Sequence, residues 1–323
     1  MNTQVKLAII AIAIVIPLTS FAVTQPSFTS EISTSDNSKL QVVTSANFLY
    51  EFTQNIGNEM IDVSLLVPMG VDPHDWEPTI RDTERLQKSD MIIINGIGYE
   101  HWIGSLELTG IAGILVDTSN GISTLDSIKY DDEKHDDHAK EDGHDEHTEE
   151  DEHNHGALDP HIWLNPVYAQ LQVKNIANAL SNSDPTNKNY YQSNAAIYNQ
   201  ELNLLDTKIR TELSGCKTDF ITFHDAFSYF SEEYGLTQHT IISSTDSHGE
   251  VTLQTLENII SLARELNIKV IFAEESTSTK TSQVIADEIG GKVLVLSPLE
   301  IVSDETYVEK MTQNLENLKE ALC

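Results

Sequence analysis

The chain has 323 residues, enough for two domains of ordinary size, and 51 acidic side chains against 19 basic ones give it a formal net charge of −32. The phosphate backbone of a nucleic acid would repel so acidic a protein, which excludes nucleic acid as its partner, whereas cations are attracted to it. Hydrophobic residues make up 39% of the chain, so it is not disordered as a whole.

The N-terminus has the pattern of an export signal. Lys6 precedes an apolar run of 10 residues, Leu7–Ile16, which is typical of a signal peptide and short for a membrane span. Extended to Val23, the run reaches 17 residues, the lower limit for a span, so residues 1–23 are either a cleaved signal peptide or an N-terminal anchor. Both alternatives predict an exported, extracytoplasmic protein at the cell surface or in the periplasm. The polar residues 24–39 predict a flexible tether.

From Leu40 onward, strands alternate with helices, which predicts a parallel sheet covered on both faces. This pattern defines an N-terminal lobe over residues 40–182. The predicted strands are Gln41–Ala46, Asp62–Val67, Met91–Asn95 and Ile114–Asp117, and the predicted helices are Tyr50–Met60 and Ile80–Lys88.

Residues 131–155 interrupt this lobe with 13 acidic residues and 6 histidines, and they contain almost nothing apolar. Such a segment cannot bury a core, so we expect a disordered loop. Closely spaced imidazoles favour weak metal binding over the alternative, a solvated acidic linker. The histidines of this loop are His135, His138, His144, His147, His153 and His155.

A long helix is predicted after the first lobe. Asp184 and Pro185 form a favourable helix start, and apolar residues then recur at three, four or seven positions as far as Leu213. A helix of that length spans roughly 43 Å, about the width of a domain. Residues 183–214 are therefore predicted to link two lobes, and another helix begins at about Pro166.

The alternation of strands and helices resumes in a C-terminal lobe, residues 215–323. Its predicted strands are Phe220–Phe223, Thr240–Ser243, Val270–Ala273 and Val293–Leu296, and its predicted helices are Phe227–Glu233, Leu253–Leu266, Thr281–Glu288 and Tyr307–Leu322. The predicted fold is α/β: two β/α lobes with parallel sheets, joined by one long helix, with a ligand site in the cleft between them.

Three histidines outside the acidic loop have positions that suit a shared site. His74 follows one predicted strand and His224 ends another, and ligands bind at the carboxyl ends of the strands in open α/β sheets. His161 precedes the helix that begins near Pro166. Three imidazoles, with a carboxylate or water as fourth ligand, suit Zn²⁺, whereas the lack of a thiolate cluster disfavours Cu(I) and iron–sulfur chemistry.

Several long motifs resemble a known family, the zinc/manganese substrate-binding proteins of ABC importers (ZnuA-like and TroA-like). In the family's order they are LVPMGVDPHDWEPT, NGIGYEHWI, DPHIWLNP, ITFHDAFSYFSEEYGL and VIFAEESTSTK, and the resemblance runs from about Gln41 to Cys323. It implies a protein that captures Zn²⁺, or Mn²⁺, for a membrane permease, with the metal held by His74, His161 and His224. In manganese-binding members of the family, the residue at the third ligand position looks like Glu. This chain has His224 there, which favours zinc.

The resemblance leaves the fourth ligand open. Many members carry an Asp shortly before the basic residue that corresponds to Lys280, but this chain has Ser-Thr-Ser-Thr at 276–279. Glu274 is the nearest acidic residue, and its alternative role is that of a buried structural carboxylate. Water or a histidine of the acidic loop could also complete the site.

The chain has 2 cysteines, Cys216 and Cys323. In an exported protein such a pair suggests one disulfide, with two free buried thiols as the alternative. The pair also matches a pattern in some members of the family, which implies a bridge between the C-terminal helix and the second lobe.

Two other functions compete with metal capture. A zinc hydrolase also uses three histidines and a water, but the sequence has no His-Glu-x-x-His motif, and Asp225, beside His224, could equally orient an imidazole. A surface adhesin is the other alternative, because related proteins carry that label. We expect a monomeric binding protein that is not an enzyme.

Overall fold

The computed structural model describes residues 39–68, 71, 73–104, 112–125, 158–242, 251–275 and 279–323. The predicted signal or anchor and the tether up to residue 38 lie outside the described residues, as does the acidic loop 131–155 with its six histidines. None of the helices within the described ranges is long and apolar enough to cross a membrane.

The first lobe contains a sheet of four parallel strands in the order β2-β1-β3-β4. The strands are β1 (Leu40–Thr44), β2 (Ile61–Leu65), β3 (Met91–Ile94) and β4 (Ile114–Asp117). Every residue of β3 is buried, as expected for a central parallel strand that is covered on both faces.

Two helices connect the first three strands of this lobe. Helix α1, Asn47–Gly57, follows β1, and helix α2, Ile80–Lys88, follows β2. The predicted helix Tyr50–Met60 therefore begins and ends three residues too late: Asn58, with φ of 42°, ends α1, and Asn58–Met60 form a 3₁₀ turn instead.

Two consecutive helices lead from the first lobe to the second. Helix α3, Pro166–Ser183, begins after Asn165, whose side chain accepts a hydrogen bond from the Val167 N–H. Helix α4, Lys188–Glu212, has 25 residues and so spans roughly 37 Å. It packs against α3, α1 and the C-terminal helix of the second lobe, and therefore touches both lobes.

The α-helical part of the predicted linking segment 183–214 begins at Lys188. The carboxylate of Asp184 accepts a hydrogen bond from the Asn187 N–H, 3.3 Å away, and closes a 3₁₀ turn over Pro185–Asn187 first. The sequence pattern located the N-cap residue, but it did not distinguish a 3₁₀ turn from the first turn of an α-helix.

The second lobe repeats the topology of the first, with four parallel strands in the order β6-β5-β7-β8. Its strands are β5 (Asp219–Thr222), β6 (Thr237–Thr240), β7 (Val270–Ala273) and β8 (Lys292–Val295). Its helices are α5 (Ser228–Tyr234), α6 (Leu253–Glu265), α7 (Thr279–Ile289) and α8 (Tyr307–Leu322). The predicted fold class, two parallel-sheet lobes flanked by helices, is confirmed.

Strand β6 lies three residues before its predicted position, Thr240–Ser243. It pairs with β5 from Asp219 opposite Thr237 to Thr222 opposite Thr240. Ile241 and Ile242, which belong to the predicted strand, follow β6 and are buried all the same. Hydrophobicity alone did not separate strand residues from the buried residues that come after the strand.

A single apolar core runs through both lobes and the connecting helices. It includes Phe52 of α1, Val173 of α3, Leu202 of α4 and Leu315 of α8. The opposite faces of the two sheets have separate cores, which contain α2 in the first lobe and α6 and α7 in the second.

A disulfide closes the end of the second lobe. Cys216, just before β5, is bonded to Cys323, just after α8, with their Cα atoms 4.7 Å apart. The Lys217 N–H also donates to the carbonyl oxygen of Leu322 at 3.0 Å. The bridge therefore attaches the last helix to the start of the second lobe, as the family resemblance implied.

Candidate metal centre

The structure brings the three predicted histidines together with a carboxylate that the sequence analysis missed, Glu300. Ligand atoms of His74, His161, His224 and Glu300 all lie within 4.8 Å of one another. We call these four residues the metal cluster. It lies at the carboxyl ends of the strands, where parallel α/β sheets place their ligand sites.

Each member of the cluster reaches it from a different segment. His74 lies between β2 and α2, His161 lies immediately before the 3₁₀ turn Ile162–Leu164, and His224 is two residues beyond β5. Glu300 comes from the segment between β8 and α8. The N-terminal lobe, residues 40–182, thus contributes two imidazoles, those of His74 and His161, and the second lobe contributes an imidazole and a carboxylate.

The distances within the cluster suit a tetrahedral zinc ion. His161 Nε2 lies 3.4 Å from His224 Nε2 and 3.4 Å from Glu300 Oε1. Ligand atoms around a tetrahedral Zn²⁺ with bonds of 2.0–2.1 Å are about 3.3–3.4 Å apart. His74 Nε2 is closer to Glu300 Oε1, at 2.8 Å, which is a hydrogen-bond contact.

Two further carboxylates orient the imidazoles from behind. Asp159 Oδ1 lies 2.7 Å from His161 Nδ1 and accepts the His161 backbone N–H at 2.9 Å. Glu274 Oε2 lies 2.7 Å from His224 Nδ1, while Glu274 Oε1 accepts the His224 backbone N–H at 3.1 Å. Both contacts engage the ring nitrogen that faces away from the cluster, so they direct Nε2 inward.

These contacts place Glu274 behind His224, outside the metal cluster. The sequence leaves Glu274 either a possible fourth ligand or a buried structural carboxylate, and its contacts with the backbone N–H and Nδ1 of His224 are those of a structural carboxylate. Glu300 is the carboxylate that lies among the three imidazoles and could serve as the fourth ligand. The available signal was its position: it follows β8 at the same edge of the sheet at which His224 follows β5.

Hydrogen bonds hold the segment that carries Glu300. Trp163 donates from its indole Nε1 to the carbonyl oxygen of Pro298 at 2.8 Å, and the Ser297 N–H donates to Asn314 Oδ1 at 2.8 Å. Leu299, directly before Glu300, is buried and has a φ of 62°, which is unusual for a branched side chain. The backbone is therefore held in an unfavourable conformation at the point where it delivers the carboxylate.

The segment that carries His161 is held from both lobes. Asn95, at the end of β3, donates to the carbonyl oxygen of Pro160 at 2.9 Å and accepts from Gln172 Nε2 at 3.0 Å. From the second lobe, the Tyr229 hydroxyl donates to the carbonyl oxygen of Asp159 at 2.8 Å. The position of His161 thus depends on the packing of the two lobes together.

The electrostatics of the cluster favour a cation. Burial raises the pKa of Glu300, but the neighbouring imidazoles of His74 and His161 lower it by more than burial raises it. The pKa of Glu300 therefore lies well below the usual range. Burial lowers the pKa of His161, whereas Asp159 and Glu300 raise it, with a net result of about 10. Glu300 Oε2 and Asp159 Oδ2 are buried with no hydrogen-bond partner among the described residues, which is unfavourable unless a positive charge lies nearby.

Access to the cluster is one-sided. The side chains of His161, His224 and Glu300 are at most 1% exposed, whereas that of His74 is 11% exposed. The Trp163 ring lies 5.1 Å from that of His161, and the Tyr99 ring lies 5.7 Å from that of His74. These apolar neighbours exclude bulk water, so an ion would enter beside His74.

Comparison with known proteins points to zinc uptake. A family model described as zinc-uptake complex component A, periplasmic, matches residues 42–321. The high-affinity zinc uptake system protein ZnuA of Bacillus subtilis (strain 168) is 40% identical over 297 residues, which are 89% of each chain. The zinc-binding protein AdcA of Streptococcus pyogenes is 33% identical over 290 residues, 87% of this chain and 56% of AdcA. The chain therefore spans little more than half of AdcA.

A solved structure extends the similarity to three dimensions. The laminin-binding protein Lmb of Streptococcus agalactiae, described as bifunctional with adhesin and metal-transporting activity, matches with a TM-score of 0.73 at 27% identity. The match covers 87% of this chain and 99% of that protein. The residues matched by the family model include both lobes and all four members of the metal cluster.

Proposed function

Because this chain belongs to the family of periplasmic zinc-uptake components, we propose that it is the substrate-binding protein of an ABC importer, capturing Zn²⁺ outside the cytoplasm and delivering it to a membrane permease. The observation that carries this proposal is the metal cluster of three imidazoles and one carboxylate. Zinc is the cargo of the protein and not its cofactor. High-affinity uptake of zinc is the activity named for its 40% identical relative.

The proposed ligands are Nε2 of His74, His161 and His224 and a carboxylate oxygen of Glu300. Asp159 and Glu274 serve as the outer partners that set the orientation of two of the rings. A site with three imidazoles and one oxygen ligand suits zinc, whereas manganese prefers a larger share of carboxylate and water oxygens. The donor set therefore supports zinc as the cargo in preference to manganese.

The origin of the ligands suggests how capture and release work. A bound ion would be shared between His74 of the first lobe and His224 and Glu300 of the second. Zinc bonds are about 2.0–2.1 Å long, so a separation of the lobes by even 1–2 Å would break the site. Binding of zinc therefore holds the lobes together, and a permease that pulls them apart would release it.

A binding role fits the cluster better than catalysis. A catalytic zinc needs an open coordination position for water or substrate, whereas in the proposed site the buried carboxylate of Glu300 would take the fourth position. The carboxylates beside the imidazoles contact their Nδ1 atoms, so neither is placed to act as a general base on a zinc-bound water. The adhesin activity named for the Streptococcus agalactiae protein requires no buried metal centre, and the cluster gives it no support.

Other features of the sequence complete the proposed pathway. The apolar N-terminus would direct the chain out of the cytoplasm and, if it is not cleaved, would anchor it there. The imidazoles of loop 131–155 would collect zinc weakly and raise its concentration near the cleft. The protein would work as a monomer that meets the permease through its two lobes.

Zinc titration of the purified chain tests the proposal. We expect one tight site per chain in calorimetry with a competing chelator, loss of that site in His224→Ala, and no zinc-dependent hydrolysis of ester or peptide substrates. Deletion of the gene should lower zinc uptake by the source organism. Tight binding without any effect on uptake would refute the transport role, and turnover of a substrate by the zinc-loaded protein would refute the binding-protein role.

A further inference from the structure

One histidine outside the metal cluster is paired with a carboxylate on the edge of the first sheet that carries His74. Of the five histidines in the described part of the chain, three belong to the cluster, His239 lies on β6, and His101 lies between β3 and β4. His101 Nε2 is 3.3 Å from Oε1 of Glu77, which lies between β2 and α2. We call His101 and Glu77 the outer pair. Both segments follow strands of a parallel sheet, so the pair lies at its carboxyl edge.

Two neighbouring segments connect the outer pair with the metal cluster. Each segment contributes one residue to each of three contacts, which are His74 with Tyr99, Trp76 with Trp102, and Glu77 with His101. The rings of the first two contacts are 5.7 and 5.5 Å apart. Three residues of chain span roughly 11 Å at most, so the backbone of Glu77 lies within that distance of the backbone of His74. The outer pair is therefore close to the cluster but separate from it.

The outer pair also lies on the exposed side of the cluster. The side chains of His101 and Glu77 are 41% and 65% exposed. His74 is the cluster member nearest to them in the chain, and its side chain is 11% exposed, whereas those of the other three members are at most 1% exposed. A cation that enters beside His74 therefore reaches the cluster on the side that carries the outer pair.

The backbone under both side chains of the pair is held in place. Glu100, directly before His101, is buried, and its carboxylate accepts the Asn95 N–H at 2.7 Å. Pro78, directly after Glu77, restricts the backbone of Glu77 to extended conformations. Side chains that start from fixed positions lose less freedom when they bind a ligand. The outer pair is thus better prepared to bind an ion than two residues on a flexible loop.

The separation within the pair suits a shared metal ion. Ligand atoms around a tetrahedral Zn²⁺ are about 3.3–3.4 Å apart, and the outer pair places an imidazole nitrogen and a carboxylate oxygen 3.3 Å apart. The alternative is an ordinary surface ion pair, which contributes little to stability. The second lobe contains a pair for comparison: His239 Nε2 lies 2.9 Å from Asp219 Oδ1, and Asp219 begins β5 at the amino edge of its sheet, away from His224. The pair with the wider, metal-like separation is thus the one beside the metal cluster.

We propose that the outer pair is a second, weak zinc site, which binds the hydrated ion first and transfers it to His74. This inference rests on the proposed function, in which zinc is the cargo. Two protein ligands fill half of a tetrahedral coordination shell and water fills the rest, so the ion is held weakly and exchanges readily. The His74 imidazole then displaces a water, and the deeper imidazoles and Glu300 displace the outer pair. Each step exchanges one ligand for another without any change of oxidation state.

A zinc site on the pathway has a kinetic signature that a structural role lacks. The site lowers the barrier between free and bound zinc, so its loss slows association and dissociation by the same factor and leaves the dissociation constant unchanged. A residue that only positions His74 would change the dissociation constant instead. Attraction by charge alone would depend on the Glu77 carboxylate but not on the His101 imidazole.

The test compares His101→Asn, Glu77→Gln and the double variant with His239→Asn, a control that removes a paired histidine away from the metal cluster. Stopped-flow fluorescence follows zinc association and chelator-driven dissociation, because the Trp163 ring lies 5.1 Å from that of His161 and reports on the cluster. Calorimetry with a competing chelator measures the dissociation constant, and thermal unfolding checks the fold of each variant.

We expect association and dissociation to slow together by about tenfold in each single variant, which is the lower end of the range by which concentrating an ion at a cleft speeds its binding. The dissociation constant should stay within about twofold and the melting temperature within about 2 °C of the wild type, and the control should bind zinc at the wild-type rate.

Wild-type rates in His101→Asn overturn the outer site, whether or not Glu77→Gln is slower, and leave the proposed function intact. A weaker dissociation constant at an unchanged association rate also overturns the outer site, because the pair would then act by positioning His74. Absence of a tight zinc site in the wild type overturns the proposed function as well.

Nitrogen NMR of the histidine side chains observes the outer site directly. The ring signals of His101 are those that disappear in His101→Asn. Once one equivalent of zinc has filled the tight site, we expect further zinc to shift these signals in the wild type and to shift them less in Glu77→Gln. If the added zinc shifts other histidine signals but not those of His101, the outer pair binds no zinc and the proposal is wrong.

Discussion

Replacement of Glu300 by Gln is expected to weaken zinc binding far more than replacement of Glu274 by Gln. Both carboxylates are buried beside imidazoles, and both changes preserve size while removing one charge. Glu300 Oε1 lies 3.4 Å from His161 Nε2, among the ligand atoms, whereas Glu274 Oε2 contacts His224 Nδ1 on the far side of the ring. The two variants are therefore matched controls for each other.

The size of the difference follows from the two positions. An ion bound to His224 Nε2 would lie about 2 Å from a ligating oxygen of Glu300 but roughly 6 Å from Glu274, because the imidazole ring intervenes. Coulomb attraction falls as the inverse of distance, so it is about threefold weaker at the second position. Loss of an outer partner weakens metal binding by about 10–100-fold. We therefore expect that loss for Glu274→Gln and on the order of 10³-fold or more for Glu300→Gln.

Competition with a chelator of known zinc affinity measures both dissociation constants on one scale. Thermal unfolding of the metal-free variants shows whether either change damages the fold itself. If Glu274→Gln weakens zinc binding as much as Glu300→Gln, the assignment of Glu300 as a ligand is wrong. The ion would then have to approach Glu274, the fourth ligand first suggested by the sequence.

Three further expectations follow from other parts of the chain. The double variant Cys216→Ser, Cys323→Ser should lose about 4–5 kcal/mol of unfolding free energy in urea denaturation, because the bridge joins residues 107 apart, while its zinc affinity stays unchanged; a loss below 1 kcal/mol would contradict the unfolded-chain argument. Burial raises the pKa of Glu100 to about 7, although hydrogen bonds from Ser45, Asn95 and Gly96 oppose the shift. The folded chain then holds this proton more tightly than the unfolded chain, so the contribution is fully present below pH 4.5 and is lost as the pH rises through 7. Relative to Glu100→Gln, the wild type should therefore lose about 3 kcal/mol of stability between pH 4.5 and 8 in parallel urea titrations, and a constant difference would exclude the shift. Deletion of residues 131–155 should remove weak zinc sites in calorimetry and slow zinc capture at low salt in stopped-flow measurements. The tight site should remain, and its loss would mean that a loop histidine is a required ligand.

The sequence by itself predicted the properties that depend on local pattern and composition. Alternating strands and helices predicted two parallel-sheet lobes, and the apolar stripe ending near Leu213 predicted a long helix between them. The positions of His74 and His224 after strands placed both at the carboxyl edge of a sheet. With only Cys216 and Cys323 in the chain, a disulfide had one available pairing. Each of these inferences needs only neighbouring residues or a count.

The tertiary structure decided which distant side chains share the site. Glu300 lies 226 positions after His74, and no short motif connects them, so only the packing of the second lobe against the first brings its carboxylate within 2.8 Å of that imidazole. The sequence made Glu274 the acidic residue nearest to the position expected for the fourth ligand, but the direction of its side chain behind His224 depends on how β7 lies beside β5. The start of β6 at Thr237 was likewise set by its pairing with β5 and not by its own hydrophobicity. Local patterns specify helices and strands through short-range sterics and burial. The geometry of the ligands depends on the relative positions of segments far apart in the chain, and only tertiary packing determines those positions.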